Sequence, residues 1–289
     1  MLEKIKEMFI LQNKLNIETN GQDWCMGVTK DGKIINWERA ITLELAECID
    51  SYPWKHWKSI SQQPDIKNAK IELVDVWHFL MSSLIETNEY TLHLSDFLTD
   101  LNSKEIKQIK ETQEIFQTNK NKPNNNLNLN FQFIVDTFNN FNHIPAIYEE
   151  YEQEWTLETH QRINHVLQIV EETLAASALS NKYKMQMTLE PDLENIKDSL
   201  EMSQRLLIAF IGACGSLNLS FEELYSLYIG KNVLNQFRQD NGYKEGTYIK
   251  MWNGEEDNVI MQDKMKELGD TVTFDTLYNE LNNVYSTLK

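Results

Sequence analysis

The sequence predicts an all-α protein. Long segments place apolar residues at helical spacing, Gly and Pro are scarce at 10 and 5 of 289 residues, and strand-type alternation is weak throughout. Residues 1–17 have the first helical pattern, with Ile5, Met8, Phe9, Leu11 and Leu15 on or near one face. Turn signals at Asn20-Gly21 and Asp31-Gly32 follow, and a second helix is expected from about Asn36 to Asp50. Pro53 and the cluster WKHWK (54–58) mark a connection, and Pro64 precedes a helix from about Ile66 into the eighties. Residues 119–142 are rich in Asn and are expected to be a loop or weakly structured excursion, within an insertion at about 88–155. Strong helical pattern returns at HVLQIVEETLAASAL, KDSLEMSQRLLIAFIGACGSL and SFEELYSLYIGKNVLNQFRQ, before DNGYKEGTYIKMWNGEEDN, a Gly-punctuated polar loop. With no internal repeat, the expectation is a single domain, 1–289: a helical bundle carrying one insertion.

Composition narrows the function classes. A hydrophobic fraction of 41% supports a sizeable core, and the 30 Phe, Trp and Tyr (12, 7 and 11) argue against general disorder. A net charge of −17 disfavours nucleic-acid binding, because phosphates would be repelled. It leaves room for a phosphorylated small molecule where local cations or a metal reverse the field. No run of about 18 uncharged apolar residues suggests a membrane span. The N-terminus mixes charge into its helix, unlike a signal peptide. Cys25, Cys48 and Cys214 form neither a disulfide framework nor a zinc pattern. A cytoplasmic location is expected.

The most informative stretch is ITLELAECID, residues 41–50. Glu44 and Glu47 lie three apart, on one face of a helix that is otherwise apolar nearly all round, and such a helix is expected to be buried. The next helix repeats the pattern in IELVDVWHFLM, where Glu72, Asp75 and His78 form one stripe. Two antiparallel helices, each offering two carboxylates, can gather hard oxygen ligands for Mg²⁺, with Mn²⁺ as a possible substitute. A lone acidic pair carries no weight, since about six or seven such spacings arise by chance among 44 acidic residues. Apolar surroundings set these two apart. Buried salt bridges to Lys or Arg are the competing explanation, and zinc is disfavoured by the single nearby imidazole.

With these residues in place the chain resembles the all-α NTP pyrophosphatases, the superfamily that includes MazG and the dimeric dUTPases. Glu44-Leu-Ala-Glu47 and Glu72-Leu-Val-Asp75 match its paired acidic signature. QNKLN (12–16), WKHWK (54–58) and GKNVLNQFRQDNGYKEGTY (230–248) narrow the resemblance to the dimeric dUTPase/dUDPase branch. It implies a Mg²⁺-dependent homodimer that converts dUTP and dUDP to dUMP, keeping uracil out of DNA and supplying dUMP for dTMP synthesis. Glu44, Glu47, Glu72 and Asp75 would then hold metal, with Glu44 or Glu47 orienting or deprotonating the attacking water. Gln12 and Asn16 would read the uracil edge between Trp57 and Phe79. Asp75 and Asn235 would meet the 3′-hydroxyl, and Lys231, Arg238, Tyr243 and Lys244 the phosphates. The plain alternatives are a polar helix face for Gln12 and Asn16, packing for Trp57, and a solvated helix end for the basic residues. His78 would support the stripe by hydrogen bonding. Rival functions are a pyrophosphatase for dCTP or general NTPs, and a nucleotide-sensing interaction protein.

Overall fold

The computed structural model describes residues 1–58, 63–97, 129–141 and 157–288. Its contacts divide the chain into two compact units, Met1–Phe221 and Glu222–Lys289. Both are helical, and the all-α expectation holds. Among the described residues no single helix is long and apolar enough to cross a membrane.

In the first unit, α1 (Leu2–Asn20) ends at Gly21, whose φ of 104° lets its amide cap Ile17 O. Asn36 caps α2 (Trp37–Asp50) by accepting from the Arg39 amide at 2.8 Å. Helices α3 (Ile66–Phe97), α5 (Leu157–Leu189) and α6 (Leu193–Ser216) complete the frame. Helix α2 packs on α3 and α5, and α6 packs on the same two, which makes a four-helix arrangement. Helix α2 runs antiparallel to α3, because Ser51 O meets the Asp65 amide at one end while Glu38 meets Ser83 at the other.

The short helix α4 (Phe131–Phe141) corrects the reading of residues 119–142 as a loop or weakly structured excursion. Phe131, Ile134, Val135 and Phe138 recur at helical spacing and are buried, beside Leu129. The Asn residues that flank them, Asn130, Asn139 and Asn140, hid an apolar face. Phe138 stands edge-on to Trp77 and Phe221, and Phe131 stands edge-on to Phe9. Trp77 also stacks on Phe210 with centroids 5.3 Å apart, so α1, α3, α4 and α6 meet around one indole. Each such side chain contributes about 1.5–3 kcal/mol through burial. The remainder of the expected insertion, 98–128 and 142–155, lies outside the described residues.

In the second unit, α7 (Phe221–Asp240, of which Phe221 belongs to the first unit) leads into the segment expected to be a polar loop. That segment contains a hairpin. Strands β1 (Met251–Trp252) and β2 (Glu255–Glu256) are joined by Asn253 and Gly254, with φ of 54° and 96°, the two positive angles a two-residue turn demands. Trp252 is fully buried against Phe237 and Tyr285. Helices α8 (Asp257–Leu268) and α9 (Phe274–Ser286, with a Thr273/Thr276 capping box) close the core with Met261, Leu277 and Leu281. Gly230 permits the close approach of α8, since the Met261 and Met265 sulfurs occupy the space a Cβ would need.

Candidate active site

The antiparallel pairing of α2 and α3 brings Glu44 opposite Glu72 and Asp75. One carboxylate oxygen from each lies within 4.8 Å of the other two. Glu72 is buried; Glu44 and Asp75 are partly so. Helix α2 is not buried all round, which corrects the expectation from its composition. Arg39, Leu43, Ala46, Glu47 and Asp50 form an exposed stripe, with Leu43 58% exposed, while Glu38, Ile41, Leu45 and Cys48 face inward. Glu47 therefore stands outside the three-carboxylate group. It lines an adjoining cleft of about 630 Å³ with Asp50, Tyr52, Asp65 and Asn68.

The donor set fits a hard divalent cation. All three candidate ligand atoms are carboxylate oxygens on two rigid helices, and their mutual repulsion is relieved by a positive ion between them. Sulfur does not compete. Burial, reinforced by the charge of Glu72, pushes the Cys48 thiol up to about 12, so it stays protonated at neutral pH.

Further along α3, where its stripe continues through His78 and Ser82, Gln12 and Asn16 are buried, against the plain expectation of a polar helix face. They displace Leu11 and Leu15, which are only partly buried. Gln12 Nε2 donates to Asn16 Oδ1 and to Ser82 Oγ, both at 3.1 Å, and Asn16 Nδ2 donates to Ser82 Oγ at 2.9 Å. His78 Nδ1 lies 2.7 Å from Gln12 Oε1, which gives the imidazole the supporting role expected of it. Four polar side chains thus form one buried network, a form that rigidifies when its members are satisfied. Trp57 and Phe79 are not brought together. Trp57 is 63% exposed beside Trp54 and His56, and Phe79 stacks on Trp37.

In the second unit, Lys231 is buried with Nζ 3.1 Å from Asn258 Oδ1. Arg238 donates to Asn235 Oδ1 at 3.2 Å and forms a bidentate pair with Asp257. The Tyr243 ring lies 5.9 Å from the Arg238 guanidinium carbon, and the Tyr243 amide bonds Arg238 O at 3.0 Å. Tyr243 and Lys244 are exposed on the turn that follows α7. The solvated helix end expected from composition is in fact mostly interior.

A second charged cluster went unread. Glu38 is 2% exposed and bonds Lys184 Nζ at 2.8 Å and Ser83 Oγ at 2.6 Å, while Lys184 also pairs with Glu86. Glu38 shares the stripe of Ile41 and Leu45, and that register was the available signal. Its partner, 146 positions away, left none. Burial opposes ionisation of Glu38, but the charge and hydrogen bonds of Lys184 outweigh it and hold the carboxyl below its usual range. Burial prevails at Glu86, whose carboxyl is raised.

Converging carboxylates on antiparallel helices of an all-α bundle are an arrangement that metal-assisted hydrolases use. Comparison makes this specific. The chain matches the family described as dUTPase over residues 4–177 and 158–243, and it belongs to that family of all-α dUTP diphosphatases. No individual curated protein matches it significantly.

Proposed function

We propose that the chain hydrolyses dUTP, and also dUDP, to dUMP in a Mg²⁺-dependent reaction, working as a homodimer in the cytoplasm. The observation that carries this reading is the meeting of Glu44, Glu72 and Asp75 oxygens within 4.8 Å across α2 and α3. Those three residues would hold the cation, with Glu47 joining from the adjoining cleft. A bound divalent cation would supply charge neutralisation along the phosphate chain and acidify the nucleophilic water.

The chain's own groups do the rest. Glu44 orients the water and accepts its proton. Gln12 and Asn16 exchange bonds within their network for bonds to the uracil edge, so a base with the wrong pattern leaves buried amides unpaired. Phe79 offers an apolar wall, with Trp57 swinging in from its exposed position. Asp75 and Asn235 meet the 3′-hydroxyl. Lys231, Arg238, Tyr243 and Lys244 hold the phosphates.

Product release from a panel of dUTP, dUDP, dCTP and ATP, with Mg²⁺ and after chelation, tests this reading. Rapid conversion of dUTP and dUDP that stops on chelation is expected. Equal rates on dCTP or ATP overturn the uracil assignment, and undiminished rates after chelation overturn the metal assignment. Sedimentation at micromolar concentration tests the dimer.

A further inference from the structure

Arg238 does not stand as a bare cation awaiting an anion. Its Nε donates to Asp257 Oδ2 and its Nη2 to Asp257 Oδ1, each at 2.8 Å, while Nη1 donates to Asn235 Oδ1 at 3.2 Å. Tyr248 Oη donates to Asp257 Oδ2 at 2.8 Å. Burial and the neighbouring Asp257 charge raise the Tyr248 hydroxyl above its usual range, so it remains a donor at any physiological pH. Asp257 is fully buried, and the Arg238 side chain retains 12% exposure. Nη2 also reaches Asn258 Oδ1 at 3.4 Å, so every guanidinium nitrogen has a partner and the planar fork is locked in orientation.

The backbone over-determines where Asp257 sits. The Asn253-Gly254 turn fixes the register Trp252↔Glu255 and Met251↔Glu256. The next residue is Asp257, whose amide donates to Lys250 O at 3.0 Å as α8 begins. Trp252 pins the hairpin into the core and donates its indole N–H to Ile249 O at 2.7 Å. A carboxylate at the first position of a helix also suits the positive end of the helix dipole. Asp257 lies beyond residue 243, where the family match ends.

A buried carboxylate that lost its guanidinium would be left uncompensated, a heavily penalised state. Arg238 therefore keeps Asp257 when an anion arrives and meets it with an orientation set beforehand. We propose that Asp257, braced by Tyr248, is a positioning residue that holds Arg238 ready for the charge developing on the phosphate chain. The inference rests on the reading of Arg238 as a phosphate-holding residue. Preorganisation of this kind acts on the transition state, and so on kcat.

The test is steady-state dUTP hydrolysis by the full chain with Mg²⁺, paired with inhibition by deoxyuridine, which lacks phosphate. Asp257→Asn is expected to lower kcat about a hundredfold, the scale of a misplaced catalytic group. Deoxyuridine inhibition should not change, whereas general damage to the fold would move it. Asp257→Asn added to Arg238→Ala should cost nothing more, because the two act as one unit. Wild-type kcat in Asp257→Asn beside an impaired Arg238→Ala overturns the proposal and spares the phosphate role of Arg238. Wild-type kcat in Arg238→Ala overturns that role itself. If Asp257→Asn does not fold, Asp257→Glu and Tyr248→Phe replace it. A graded loss of kcat at constant deoxyuridine inhibition supports the proposal, and wild-type kcat in both overturns it.

Discussion

Two acidic clusters lie along the same pair of helices, and they resolve charge in different ways. Toward the start of α2, Glu38 and, across from it on α3, Glu86 share Lys184, so the protein brings its own cation. Two turns further along α2, Glu44 converges with Glu72 and Asp75, and the arrangement is one that a divalent ion would complete. The members of the first cluster are between 2% and 12% exposed by side chain, and all three line a cavity of about 480 Å³. In the second, Glu72 is buried while Glu44 and Asp75 are partly exposed, and Glu47, one turn from Glu44, lines a cleft. Proximity of carboxylates alone distinguishes nothing. What marks the first cluster is the lysine built into it.

The comparison can be broken most severely at the three-carboxylate cluster. Glu72→Gln or Asp75→Asn should lower dUTP turnover by roughly 10²–10³-fold, the scale of losing one electrostatic stabiliser in an active site. Melting temperature without metal should hold or rise, because like charges have been thinned. Glu47→Gln sharpens the boundary: an equal loss places Glu47 among the ligands when the cation binds, and that is the expected result. Full activity in Asp75→Asn would end the two-helix site.

The Lys184 cluster should respond in stability. Lys184→Met leaves two buried carboxyls without their cation and should cost about 3–5 kcal/mol in urea unfolding. Wild-type turnover per folded molecule is expected. A variant as stable as the parent would show that Lys184 is not the compensating charge.

Acid titration then separates the wild type from that variant by sign. The Glu38 carboxyl is depressed in the fold relative to its ordinary value of 4.5, so its contribution is fully present above that pH and is lost as pH falls below it. Without Lys184, burial is opposed only by the Ser83 and backbone hydrogen bonds, the folded value of Glu38 rises, and stability is lost as pH increases from the acid side. Urea midpoints from pH 3 to 7 should run in opposite directions for this group's share. Parallel curves would remove Glu38 from the account.

The smallest effect is expected at Lys244, between Gly242 and Gly246 on the exposed turn after α7. Trypsin should cut there in the free protein and slow with a non-hydrolysable dUTP analogue and Mg²⁺. Equal cutting rates would mean that the turn does not close over phosphate.

How much of this was legible follows from the range of each interaction. Helices α2 and α3 were readable because their apolar periodicity is local, and so was the meeting of Glu44 with Glu72 and Asp75 once the pair is antiparallel. The outward turn of Glu47 and Leu43 was not, since the position of the inward stripe depends on what packs against α2. Glu38 and Lys184 find each other across 146 residues, and no local pattern announces that. Composition misled at α4, where five buried apolar residues stand among asparagines that suggested a loop. It misled again at Trp252, where Gly and acidic residues conceal a two-residue hairpin around a buried indole.

That hairpin also makes the protein perishable. Asn253 and Gly254 are exposed at its tip, and Asn followed by Gly is the dipeptide whose backbone nitrogen most easily attacks the side-chain amide. The succinimide so formed opens to isoaspartate, which threads an extra carbon into the main chain and adds a negative charge. A two-residue turn has no slack to absorb it. The Trp252↔Glu255 register would slip, and the position of Asp257 at the start of α8 with it. Asn20-Gly21 and Asn241-Gly242 are partly buried, so shelf life, measured as isoaspartate content against residual turnover, is expected to be set first at residue 253, far along the chain from the carboxylates of α2 and α3.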